Sequence, residues 1–118
     1  MPRPVQNPRV AHDLASRTLE LVDVPSESRD EDALAELVRG AVPLDLVYDD
    51  DLTLLFRGAS TGKPLVVFAG HLDTVPVNEN LPGHIADGSV HGLGASDMKG
   101  RLAVMVELAR WVADAGEL

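Results

Sequence analysis

Cysteine is absent from the 118 residues. That excludes disulfides and thiolate metal ligands, and leaves His, Asp and Glu as the side chains able to hold a metal ion. Aromatic residues are scarce, at 3% against an apolar fraction of 45%, so a core must be built mainly from Val, Leu and Ala. Positive charge is also scarce: 10 Lys and Arg stand against 19 Asp and Glu, for a net charge of −9. A chain so acidic is a poor partner for nucleic acid or for an anionic membrane surface. No hydrophobic run approaches the roughly 20 residues of a membrane span. Met1-Pro2-Arg3-Pro4 lacks the apolar h-region of a signal peptide, so a cytoplasmic location is the expectation. The length allows at most one ordinary domain, and there is no internal repeat or low-complexity tract.

What is present reads as α/β. Residues 1–10 hold three prolines and no periodicity and are expected to be a loose lead-in. From Ala11 to Val24, Leu14, Leu19, Leu21 and Val22 recur at helical spacing. Pro25-Ser26-Glu27-Ser28 breaks that pattern, and Ser28 or Asp30 can cap a second helix from about 30 to 40. Its apolar face is Ala33, Leu34, Leu37 and Val38, and Gly40 is its expected end. Leu44–Tyr48 and Leu52–Phe56 flank the acidic turn Asp49-Asp50-Asp51 as a hairpin. The three acids are expected to be a solvated tip and not a calcium loop. A short pairing of Ile85 with Val90 is expected around Asp87-Gly88. A last helix runs from about Met98 to Ala113, with Met98, Leu102, Met105, Ala109 and Val112 on its apolar face.

The stretch that organises the rest is Pro64–Gly100. Leu65-Val66-Val67-Phe68-Ala69 has the look of a strand buried on both faces. Beyond Gly70, His71 and Asp73 would project from one face if strand geometry persists, at the strand end where open α/β sheets keep their sites. Asp97 follows the glycine-rich Gly92-Leu93-Gly94 and precedes the last helix. Imidazole and carboxylate are good zinc ligands, and a carboxylate that does not bind the metal can accept the ligand imidazole's other N–H. Asp97 could join two ions about 3.5–4 Å apart through its two oxygens. Taken alone, His-x-Asp more often describes a strand-end histidine that is merely hydrogen-bonded.

Gly70-His71-Leu72-Asp73-Thr74-Val75-Pro76, followed by Gly92-Leu93-Gly94-Ala95-Ser96-Asp97-Met98-Lys99-Gly100, closely resembles the paired signatures of the di-zinc amidohydrolases. That family includes aminoacylases, carboxypeptidase G-type enzymes, acetylornithine deacetylases and succinyl-diaminopimelate desuccinylases. The resemblance extends from about residue 11 to the end. It implies that His71 binds one zinc, that Asp73 is the catalytic aspartate orienting this histidine, and that Asp97 bridges both zincs, with cobalt as a substitute metal. It also implies a cis peptide after Asp97. Leu93 departs from the pattern, since many members carry arginine there. Within the family, the wording Asp73–Pro76, Val77-Asn78 and Asn80–Pro82 looks most like the desuccinylases acting on N-succinyl-LL-2,6-diaminopimelate. Acetylornithine deacetylases and dipeptidases are the near alternatives.

The fold so implied is the N-terminal part of a zinc-exopeptidase-like catalytic domain with a mixed or parallel sheet, here residues 11–118. The family's general base and a further ligand form an adjacent Glu-Glu pair, and no such pair occurs in this sequence. The chain is therefore expected to be part of a longer, homodimeric hydrolase of small N-acyl amino acids, and to be inactive alone. A non-catalytic remnant or a zinc-binding module is the alternative from another class. His91 is expected to be structural, His84 and His12 solvated, and Lys99 a surface residue or a local hydrogen-bond donor. Lys63 after Gly62 lacks the glycine spacing of a phosphate loop.

Overall fold

The computed structural model describes residues 8–50, 53–59 and 62–115. Three helices and two small antiparallel sheets make up its regular structure: α1 (Pro8–Val22), α2 (Asp32–Ala41), β1 (Asp45–Asp49), β2 (Leu54–Arg57), β3 (His84–Ala86), β4 (Ser89–His91) and α3 (Gly100–Ala115). Helix α1 begins three residues earlier than its periodicity predicts, with proline in its first position, where the missing N–H costs nothing. The rest of the expected lead-in lies outside the described residues.

The core is aliphatic, as the scarcity of aromatics requires. Leu21 of α1, Leu34 and Val38 of α2, and Leu102 and Ala103 of α3 form one buried cluster. Spacing explains the choice: Leu34 and Val38 stand four apart on one face of α2, and Leu102 and Val106 do the same on α3. Thr18, nearly buried on α1, returns its hydroxyl to the Leu14 carbonyl at 2.7 Å. A half-buried ion pair, Arg17 Nε to Glu107 Oε1 at 2.8 Å, ties α1 to α3.

Helix α2 has Glu31 before its first turn, with no side-chain cap, and it runs through Gly40 to end at Ala41. Neither Ser28 nor Asp30 caps it, a correction to the sequence reading, because the Ser28 hydroxyl is engaged elsewhere. Asp32 in the first turn and Arg39 in the last complement the helix dipole. Arg39 also forks onto Asp49, Nε to Oδ2 at 3.0 Å and Nη2 to Oδ1 at 2.9 Å.

The β1–β2 hairpin forms about the acidic turn where it is expected, with a bulge between Leu46 and Tyr48. Leu54 and Phe56 face the core cluster while Leu55 points to solvent. At the tip, Asp50 accepts from the Thr53 N–H at 2.7 Å and from the Tyr48 hydroxyl at 2.8 Å, while Asp51 lies outside the described residues. Strands β3 and β4 pair with Ile85 opposite Val90 around Asp87-Gly88, as expected.

The buried strand expected at Leu65–Ala69 is not formed. Among the described residues no strand pairs with it, and Leu65, Val66, Val67 and Phe68 are 80%, 64%, 69% and 54% exposed. An extended segment becomes a strand only when a neighbour takes its N–H and C=O groups, and the hairpin β1–β2 pairs with itself instead. Among the described residues, the expected mixed or parallel sheet is represented by two separate antiparallel pairs and one parallel bridge, Glu27 to Thr74.

Candidate metal centre

That parallel bridge builds the floor of the site. The loop after α1 lies alongside Leu72–Thr74: the Thr74 N–H donates to the Ser26 carbonyl at 2.9 Å and the Ser28 N–H donates to the Thr74 carbonyl at 3.1 Å. Ser26, fully buried, satisfies its hydroxyl on the Leu72 carbonyl at 2.7 Å. Pro25-Ser26-Glu27-Ser28, read from the sequence as a helix breaker, is thus the strand-like partner of the His-x-Asp segment. No local pattern in the sequence announces a contact across more than 40 residues.

Asp97 arrives from the other side. The turn Ala95–Lys99 precedes α3, and inside it Asp97 (φ −129°, ψ 89°) and Met98 (φ −135°, ψ 35°) leave helical geometry. The Asp97–Met98 peptide is cis, as the resemblance implies. Gly94 sits at φ 76°, and a Cβ there would lie 2.6 Å from Thr74 Cγ2. A side chain at this position would therefore meet both backbone strain and a clash, so glycine lets the two motifs approach. Lys99 corrects another expectation. It is 1% exposed, and its Nζ donates to the Val24 carbonyl at 2.8 Å. The non-helical backbone at Asp97 and Met98 turns it inward, where burial pulls its pKa below the ordinary lysine value, with Asp23 opposing.

His71, Asp73 and Asp97 converge. His71 Nε2 lies 2.9 Å from Asp97 Oδ1, although the two residues are 26 apart in sequence. On the other side of the ring, Nδ1 lies 3.0 Å from the Asp73 carbonyl and 3.2 Å from Asp73 Oδ1. The second Asp73 oxygen, Oδ2, accepts the Ser28 hydroxyl at 2.7 Å. The His71 backbone N–H faces Met98 Sδ at 3.4 Å. His71 and Asp73 are about half exposed, and the Asp97 side chain is 87% exposed. The trio opens into a shallow depression of about 360 Å³ that also borders Asn80, Leu93 and Ser96. A larger depression of about 540 Å³ runs past His91 and Ser96, but no carboxylate lines it, so the chemistry belongs to the smaller one.

The electrostatics follow from these contacts. The hydrogen bond with Asp97 is the main cause that raises the His71 pKa above its usual value, helped by Asp73. Asp73 is held below the ordinary carboxylate value, chiefly by the Ser28 hydroxyl and then by His71. Among the described residues no group of three His, Asp or Glu side chains is arranged to hold a metal ion. The donor chemistry nevertheless suits part of a zinc site: Nε2 of His71 faces a carboxylate oxygen of Asp97, and a second carboxylate stands behind Nδ1. His91 is elsewhere, its ring stacked on His84 with centroids 4.9 Å apart, and His12 is exposed on α1.

A short motif ends an extended segment, a second opens a helix, and together they hold a histidine between two carboxylates. Residues 67–118 match the model of the peptidase family M20/M25/M40. Relatives with known names agree. The chain is 36% identical over 106 residues to the succinyl-diaminopimelate desuccinylase of Corynebacterium glutamicum, covering 86% of this chain and 29% of that protein. It is 39% identical over 101 residues to a Mycobacterium tuberculosis protein provisionally named succinyl-diaminopimelate desuccinylase, covering 82% of this chain and 28% of the relative. A succinyl-diaminopimelate desuccinylase of Ruthia magnifica is 48% identical over 60 residues. The chain therefore spans under a third of the length of these relatives. No helix among the described residues is long and apolar enough to cross a membrane.

Proposed function

We propose that this chain is the N-terminal portion, residues 11–118, of the catalytic domain of a cytoplasmic di-zinc amidohydrolase that cleaves N-succinyl-LL-2,6-diaminopimelate to succinate and LL-diaminopimelate. The observation that carries the reading is the 2.9 Å approach of His71 Nε2 to Asp97 Oδ1, with Asp73 behind the same ring. The names of the relatives and the desuccinylase wording of Asp73–Pro76 and Asn80–Pro82 support the substrate.

In this proposal His71 and Asp97 would supply ligands to the zinc pair. When bound, the zinc pair would supply Lewis acidity for the amide carbonyl and for the attacking water. The chain's own residues do the rest. Asp73 stands behind Nδ1, where it would accept that nitrogen's proton once a metal takes Nε2 from its contact with Asp97, and Ser28 steadies Asp73. Gly94 admits Thr74 against the turn and so sets the distance between the two motifs. No Glu-Glu pair is present to act as base and ligand, so these 118 residues are proposed to bind zinc weakly and to leave the amide intact. Turnover then belongs to a protein of the relatives' full length, as a homodimer.

The test is an assay of succinate release with added zinc, run on these 118 residues and on a protein of the relatives' full length. The 118 residues are expected to release none. The longer protein is expected to cleave the N-succinyl substrate well above N-acetylornithine. Zinc-dependent cleavage by the 118 residues alone would overturn the assignment of the base, and a preference for N-acetylornithine would overturn the substrate.

A further inference from the structure

We propose that Ser28 is a positioning residue of the metal centre: its hydroxyl fixes the Asp73 carboxylate, which in turn fixes the His71 imidazole. This rests on the reading of His71 and Asp97 as ligands and extends it to the loop between α1 and α2.

Each oxygen of Asp73 has its own partner. Oδ2 accepts from the Ser28 hydroxyl at 2.7 Å, and Oδ1 lies 3.2 Å from His71 Nδ1. A turn of the carboxylate about its last torsion would break both contacts, so the hydroxyl selects which orientation His71 meets. The Ser28 hydroxyl carries one proton, and its other neighbour, the Thr74 carbonyl, is 3.5 Å away. The shorter contact to a charged acceptor takes it.

Ser28 is itself immobilised by contacts that do not use its side chain. Its N–H donates to the Thr74 carbonyl at 3.1 Å, the Thr74 N–H donates to Ser26, and the Ser26 hydroxyl closes on Leu72. Glu27 adds a further link by accepting the Val77 N–H at 3.0 Å. The loop therefore holds Ser28 in place whether or not the hydroxyl is present. Ser28→Ala removes one hydrogen bond to Asp73 and leaves the ladder. The half-exposed carboxylate then takes water in place of the hydroxyl, and loses its fixed orientation but keeps its charge.

The 118-residue chain and its Ser28→Ala and Ser28→Thr variants test this with two readouts. One is the tautomer of the His71 ring, from imidazole nitrogen–proton correlation spectra at a pH where the ring is neutral. The other is the affinity for zinc alone, by competition with a chromophoric chelator. Donation from Nδ1 to Asp73 competes with donation from Nε2 to Asp97, so Ser28→Ala is expected to lower the Nδ1–H share of the neutral ring and to weaken zinc binding about 10-fold, the lower end for loss of an outer partner. The metal-free melting temperature is expected to fall only slightly, as for one half-exposed hydrogen bond, and Ser28→Thr is expected to restore both readouts. An unchanged tautomer ratio in Ser28→Ala, or a loss that threonine does not repair, overturns the proposal. If the unsubstituted chain binds zinc no better than His71→Ala, the metal reading fails instead, and the tautomer ratio still decides the role of Ser28.

Discussion

Leu34 and Val38 of α2 are 0% and 8% exposed, whereas Leu65, Val66, Val67 and Phe68, an equally apolar set, are between 54% and 80% exposed. Their difference lies in where the backbone finds its partners. A helix satisfies its own N–H and C=O groups, so α2 only needs a surface to lie against, and α1 and α3 provide one. An extended segment must borrow its hydrogen bonds. Residues 26–28 lend theirs to Thr74, and no described strand lends any to residues 65–68. Apolar sequence alone therefore gives a helix its burial but leaves a strand dependent on a neighbour. An apolar extended edge of this kind is a recognised site for pairing between chains.

Breaking the buried side should have the largest effect. Leu21→Ala removes a fully buried side chain at the centre of the cluster and is expected to cost about 2–5 kcal/mol of stability, measured by denaturant unfolding. A loss below about 1 kcal/mol would mean that the three helices do not share one core.

A middle-sized effect concerns the charge pair. Asp97 raises the His71 pKa, so the protonated ring is favoured in the folded chain. The stabilisation is complete below the ordinary histidine value of 6.5 and is lost as pH rises through the raised folded value. Asp97→Asn is expected to bring the His71 titration, followed by NMR, down toward the ordinary value. On the proposed assignment of His71 as a zinc ligand, the metal would compete with the proton, and in the unsubstituted chain its affinity is expected to climb across that raised pKa. A His71 titration that Asp97→Asn leaves unmoved would contradict the contact.

The smallest effect is expected on the exposed side. Val66→Ser and Val67→Ser should each change stability by no more than about 0.5 kcal/mol, in a dilute sample where chains do not pair. A loss as large as that from Leu21→Ala would show that residues 65–68 are buried after all.

The helices were legible because Leu34, Leu37 and Val38, or Leu102 and Val106, carry a period the backbone must obey. The β3–β4 pairing was legible because Asp87-Gly88 marks its turn. His71, Asp73 and Asp97 were legible mainly through the wording of two motifs, since His-x-Asp alone fits many strand ends. Three features escaped. Residues 64–69 look like a buried strand because periodicity measures apolarity, not the presence of a partner. Ser28 looks like a helix cap because its bond to Asp73 spans 45 residues. Lys99 looks like a surface residue because extending the helical period back to Met98 assumes a backbone that Asp97 and Met98 do not follow.

The inward turn of Lys99 also changes how the protein looks to a reagent. The chain has two lysines, Lys63 and Lys99. Lys63 is exposed, while Lys99 is sealed beneath the Val24 carbonyl. An acylating probe therefore meets a molecule with one side-chain amine while the loop after α1 stays closed. The second amine enters solution chemistry only when that loop lifts away from the turn that carries Asp97.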